Sequence, residues 1–184
     1  MLNEKLNLTA FIDYIASWMY WFKVGPITIA QIIAPILFLL FDLYYLKFDP
    51  VIYLMVYIPF IITGTGLYLV AVRKFYSVKN FIYHQSIELL AFIPVTLSFF
   101  AWLTKRGRAF TVTGKIIEKT EKRLIIPYLI VLALLIASIV RGVFTLLLVN
   151  PAIRLTVLIN IFWATYFVPF FVFGLFMVLR SGEK

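Results

Sequence analysis

Apolar runs too long for ordinary loops alternate with short polar breaks along this chain. Residues 26–46 form the first run, long enough at ~1.5 Å per residue to cross a ~30 Å hydrocarbon core as a helix. Gln31 and Pro35 interrupt it, and Asp42 lies near its far end. A short Lys47-Phe48-Asp49 turn follows, and Pro50 opens a second run, 50–72, at a position where proline is tolerated. Residues 124–149 and 152–179 are the third and fourth runs, divided by an Asn150-Pro151 turn. The pattern predicts four transmembrane helices. Ahead of them, residues 4–23 place Lys5, Thr9, Asp13 and Ser17 at every fourth position, a narrow polar stripe on an otherwise apolar helix. Asn3 is its expected N-cap, and Gly25-Pro26 is expected to break it.

Composition agrees with the pattern. The 184 residues are 64% hydrophobic and only 14% charged, far from a soluble domain. The unbroken runs exclude the alternating strands of a β-barrel. No cysteine is present, so disulfides and thiolate metal sites are excluded. The N-terminus opens with polar residues and Lys5, without the pattern of a cleavable signal peptide.

Residues 77–103 read two ways. Hydropathy allows a span, but the segment contains Glu88 and Pro94, with His84 just before. Charge decides between them. If the segment lies flat or is re-entrant, 14 of the 17 basic residues fall on one side: Lys5, Lys23, Arg73, Lys74, Lys79, Arg180, Lys184 and the seven of residues 104–123. The positive-inside rule makes that side the cytosol, so 77–103 is expected to be an interfacial helix and both termini cytosolic. The +9 net charge needs no nucleic acid, because basic residues also orient membrane proteins and attract anionic lipids. His84 and Glu88 share a helix face, as a proton site or as the polar face of that helix. No further His and no carboxylate cluster accompanies them, so no metal site is expected.

Arg141 and Asp42 are ionisable residues set inside spans. Arg141 lies in the third run, where an unpaired charge costs at least ~2.5 kcal/mol. Asp42 is its natural partner; the alternative is that Arg141 snorkels to the headgroups. Trp18, Tyr20 and Trp21 suit an interface, either as anchors or as aromatic faces on which sugar rings stack.

The one long polar segment is Thr104–Arg123, with seven Lys or Arg against two Glu, a net charge of +5. A positive-inside loop needs only those charges. At its centre, however, stands Phe110-Thr111-Val112-Thr113-Gly114-Lys115, a hydroxyl, a glycine and a lysine that together can meet phosphate oxygens. Phe110-x-Val112-Thr113-x-Lys115 resembles the FxVTxK gating loop of membrane-embedded family 2 glycosyltransferases, the cellulose synthase type. Ile116 stands where that family often has Gly. The order of segments is also similar: interfacial helix, two spans, interfacial helix, gating loop, two spans. The resemblance covers nearly all of the chain. It implies an all-α integral membrane fold with four transmembrane helices, two cytosolic-side interfacial helices and a basic gating loop.

By that resemblance, the region forms part of the channel for the growing polysaccharide. Phe110, Val112, Thr113 and Lys115 would contact the nucleotide sugar, and Asp42, Arg141, Trp18 and Trp21 would belong to the polymer channel or to a structural polar pair. The acceptor motif QxxRW, the DxD motif and the TED-type base of the family are not found in this sequence. Glycosyl transfer needs such a base and a divalent cation, so this chain alone is expected not to catalyse. The resemblance implies a split or truncated enzyme, with the nucleotide sugar and Mg or Mn held by a catalytic partner chain. The alternative is a non-catalytic integral membrane subunit or small channel. A proton-coupled transporter has little support, since Asp42, Arg141 and Gln31 are the main candidates within the spans.

Overall fold

The structure, a computed structural model, describes residues 7–43, 49–72, 78–105 and 125–181. Every regular element among them is helical: α1 (Leu8–Phe22), a π turn (Lys23–Ile27), α2 (Thr28–Phe41), α3 (Pro50–Val72), α4 (Val78–Leu90), α5 (Phe92–Leu103), α6 (Ile126–Leu148) and α7 (Pro151–Ser181). Four of the helices formed are long and apolar enough to cross a membrane: Leu8–Phe41, Pro50–Leu67, Ile126–Leu148 and Ile153–Arg180. The chain has the architecture of a multi-pass membrane protein.

The expected break at Gly25-Pro26 does not occur. Helical structure runs from Leu8 to Phe41, 34 residues, through the π turn that contains Pro26. Proline has no N–H and crowds the carbonyl four residues earlier, so an α turn around it is strained. The wider turn bypasses the difficulty. The Thr28 N–H reaches back five residues to the Lys23 carbonyl, and Thr28 Oγ1 donates to the same oxygen at 2.8 Å. In hydrocarbon an unpaired backbone group is costly, which favours a wider turn over an open break. The expected span 26–46 therefore begins inside an existing helix and ends earlier, at Phe41. Asp42 adopts a left-handed conformation (φ 54°), and its N–H bonds the Phe38 carbonyl at 3.0 Å, an αL helix stop. Asp tolerates that conformation better than most residues.

The segment 77–103 also differs from the single helix expected. It is two helices, α4 and α5, separated by a turn at Ala91. Together they qualify as a broken span or a re-entrant pair. Pro94 explains the break. It offers no N–H to the carbonyl of Leu90, and that carbonyl instead accepts the Tyr128 hydroxyl of α6 at 2.6 Å. The start of α3 follows expectation: it opens at Pro50, and Asp49 Oδ1 accepts the Val51 N–H at 2.8 Å as an N-cap. The break between α6 and α7 falls at Asn150, as expected, with Pro151 the first residue of α7.

The described residues group into two compact units. The first holds α1, the π turn, the start of α2, and α5. Val24 and Phe92 of this unit are both almost fully buried. Gly25 lets the π turn lie against α5, since a Cβ there would stand 2.9 Å from Val95 Cγ1 and 3.2 Å from the Thr96 backbone nitrogen. The second unit holds the rest of α2 with α3, α4, α6 and α7. Leu135 of α6 and Val157, Ala164 and Phe171 of α7 are buried there. Small residues permit close helix approach within this unit too: a Cβ on Gly142 would meet Ile161 at 2.8 Å and Leu39 at 3.0 Å. Buried Ser138 and Asn160 return their side-chain hydrogen bonds to carbonyls of their own helices, Leu134 and Thr156. Helix α3 meets α7 through aromatic rings. Trp163 Nε1 donates to the Tyr53 hydroxyl at 2.9 Å, and Tyr57 packs edge-on against Trp163 at 5.1 Å. The small-residue patch Thr63-Gly64-Thr65-Gly66 has a different setting from Gly142. Nothing in the described chain comes within 4 Å of a Cβ placed on Gly64 or Gly66.

Candidate functional site

The ion pair expected between Asp42 and Arg141 is present and does more than neutralise charge. Helix α2 ends at Phe41, so its last carbonyls lack intrahelical partners. Arg141, projecting from α6, brings Nη1 to the Leu39 carbonyl at 2.6 Å. Its Nη2 meets Asp42 Oδ2 at 2.5 Å. One guanidinium thus caps the C-terminus of α2, where positive charge complements the helix dipole. It also offsets the carboxylate that the αL stop places at the same end. The planar fork of Arg suits this double contact in a way a Lys ammonium would not. The side chains are 39% and 65% exposed, so the pair forms at a surface of the packed helices and not in their core.

A second cluster gathers around the aromatic residues of α1. Helix α1 has no buried residue, and Trp18 and Trp21 are both exposed. They form, with Phe22, one wall of an open groove of about 520 Å³. The other wall is α5, through Pro94, Val95, Ser98, Phe99 and Trp102. The rings make a connected row. Trp18 stacks on Phe22 at 5.5 Å, Phe22 meets Phe99 at 5.6 Å, and Phe99 meets Trp102 at 5.9 Å. Sequence reasoning singled out Trp18 and Trp21 but missed Phe22, Phe99 and Trp102. A signal for the missing wall was there: Val95, Ser98, Phe99 and Trp102 follow the i, i+3, i+4, i+7 pattern of one helix face. It stood out poorly because the rest of α5 is also apolar.

The polar content of the groove is small. Ser98 is the one lining residue with a hydroxyl, and its Oγ donates to the Pro94 carbonyl at 2.8 Å. No carboxylate, carboxamide or guanidinium is among the lining side chains. The indole N–H groups of Trp18, Trp21 and Trp102 donate to no group among the described residues.

His84 and Glu88 do lie together on α4, with Nε2 and Oε2 3.6 Å apart, a loose contact beyond hydrogen-bond reach. The motif residues Phe110, Val112, Thr113 and Lys115, like Asn3, lie outside the described residues. In comparisons with family models, curated proteins and solved structures, nothing matches this chain.

Proposed function

We propose that the chain is the translocation and gating part of a processive family 2 glycosyltransferase, involved in polysaccharide synthesis and export, and that it works with a separate catalytic chain. The observation that carries this reading is the order of elements around the motif. The broken pair α4–α5 leads through Lys105 directly into the segment bearing Phe110-x-Val112-Thr113-x-Lys115, and two long apolar helices, α6 and α7, follow. In this reading α1 and the α4–α5 pair lie on the cytosolic side, as do both termini. The segment 104–123 closes over a nucleotide diphosphate held by the partner. Lys115 meets the phosphates as a point charge, Thr113 donates to a phosphate oxygen, and Phe110 and Val112 pack near the base. The divalent cation, Mg or Mn, belongs to the partner's catalytic domain.

Polymer synthesis by this chain reconstituted with its catalytic partner tests the reading. A charge-assisted bond contributes roughly 1.5–3 kcal/mol, so Lys115→Ala should weaken donor use by about 10- to 150-fold. Lys119→Ala, equally basic but outside the motif, should do much less. Equal modest losses at both positions would mean that the segment acts only through its summed charge.

A second reading, a non-catalytic membrane subunit of another complex, draws on α3. None of the 18 residues of Pro50–Leu67 is buried within the chain, so, away from the Tyr53 and Tyr57 contacts with α7, the helix offers its surface to lipid or to another protein. Isolation in mild detergent separates the two readings. Co-purification of a chain that ends in QxxRW supports the first, and co-purification of an unrelated assembly supports the second.

A further inference from the structure

We infer that the groove between α1 and α5 is a binding site for an anionic phospholipid, with the hydrocarbon chain in the groove and the headgroup at its Trp102 end. The lining decides against a sugar. Each pyranose ring carries several hydroxyls, and a buried hydroxyl without a partner is costly. The groove has Ser98, already bonded to Pro94, and three indole N–H donors, with no acidic or amide side chain to accept from a sugar. A hydrocarbon chain asks for none of these. It asks for apolar walls, which Phe22, Phe99, Pro94 and Val95 provide. The volume of about 520 Å³ falls within the ~300–1,000 Å³ typical of ligand sites.

Charge supplies the second half of the inference. Lys105 follows Trp102 by three residues, one helical turn, and its N–H bonds the Trp102 carbonyl at 3.0 Å. It takes a left-handed backbone conformation (φ 52°), and its exposed side chain has no acidic partner among the described residues. The free indole N–H groups can donate to ester or phosphate oxygens, as tryptophan does at membrane interfaces. An apolar trough, indole donors and one cation at the end of α5 match the order of an anionic lipid: tail, ester, phosphate. The inference stands or falls independently of the glycosyltransferase reading.

Quenching of tryptophan fluorescence by lipids with brominated acyl chains tests it on the full chain in phosphatidylcholine vesicles. Three of the four tryptophans line the groove, so the signal reports chiefly on it. Brominated phosphatidylglycerol should quench at about fivefold lower mole fraction than brominated phosphatidylcholine, the ratio matching ~1 kcal/mol for one basic residue near an anionic headgroup. Ser98→Phe, which fills the trough, should lower quenching by both lipids and abolish the preference. Lys105→Gln should lower the preference for brominated phosphatidylglycerol by more than Lys119→Gln does, and an equal effect of the two would remove Lys105 from the site. Equal quenching by both lipids that survives Ser98→Phe would mean ordinary surrounding lipid, and the site would be withdrawn. Protection of the indoles by a soluble oligosaccharide, lost in Ser98→Phe, would overturn the inference in favour of a glycan path.

Discussion

Arg141 closes the end of a helix that is not its own, holding the Leu39 carbonyl with one nitrogen at 2.6 Å and the Asp42 carboxylate with the other at 2.5 Å. The two contacts have different consequences. Removing Arg141 leaves an uncapped carbonyl and an uncompensated carboxylate; removing Asp42 leaves the cap intact.

The two substitutions should therefore be unequal. Arg141→Met should destabilise by roughly 1.5–3 kcal/mol, the range for hydrogen bonds to charged groups. Asp42→Asn keeps the αL tolerance and should lose about 1 kcal/mol or less, because the carboxylate is largely exposed. The double variant should cost less than the sum, since Arg141→Met no longer strands a charge once Asp42 is neutral. Thermal unfolding in detergent measures all three. Strict additivity would show that Arg141 serves as a cap without being coupled to Asp42.

Tyr128 and Pro94 should be coupled through a single carbonyl. Tyr128→Phe withdraws the hydroxyl from the Leu90 oxygen and should cost roughly 1–2 kcal/mol. In a Pro94→Ala background the residue at 94 regains an N–H that can serve the same oxygen, so Tyr128→Phe should cost less there. The same penalty in both backgrounds would mean that the tyrosine acts by packing.

The glycines divide by surroundings. Gly142→Leu forces a side chain against Ile161 and Leu39, and overpacking of this kind costs typically ~1–3 kcal/mol. Gly64→Leu and Gly66→Leu meet open space and should leave stability unchanged or raise it by up to about 1 kcal/mol per glycine through helix propensity. Thermal unfolding of the isolated chain separates the two classes. Large losses at 64 or 66 would contradict the open face of α3.

Cysteine labelling checks the sidedness of the proposed arrangement, and the lack of native cysteine makes it clean. With Lys79→Cys and Lys119→Cys, an impermeant maleimide added outside should fail to react, whereas Phe48→Cys should react. Labelling of positions 79 and 119 from opposite sides would make α4–α5 a true span.

Much of this architecture was legible in the sequence because hydrocarbon imposes a simple rule on long apolar runs. Pro50 opened its helix, Asn150-Pro151 closed a turn, and the pairing of Asp42 with Arg141 followed from the cost of a lone charge at depth. The errors came from prolines. Gly25-Pro26 has the form of a breaker, yet the chain stays helical by widening one turn, and no local propensity announces that choice. Pro94 breaks a helix whose hydropathy is continuous, and the tyrosine that serves the freed carbonyl lies 38 residues further on. The α5 wall of the groove was obscured for a related reason. A pairing between α1 and α5 depends on contacts far apart in sequence, and neither helix has a polar face sharp enough to orient it.

The π turn has one more consequence, for the lengths this chain can have. A turn of the wider kind holds one residue more than an α turn, and each residue of an α-helix advances the side chains by about 100°. Deleting a single residue within Lys23–Ile27 would let an ordinary α-helix form, yet would swing Trp18 and Trp21 about a quarter of a turn around the axis of α1, off Phe99 and Trp102. The aromatic trough is therefore tied to residue count as much as to residue type. A homologue could exchange one ring for another along α1 and keep the groove, but one that lost a residue in these five would lose it, even with every aromatic side chain retained.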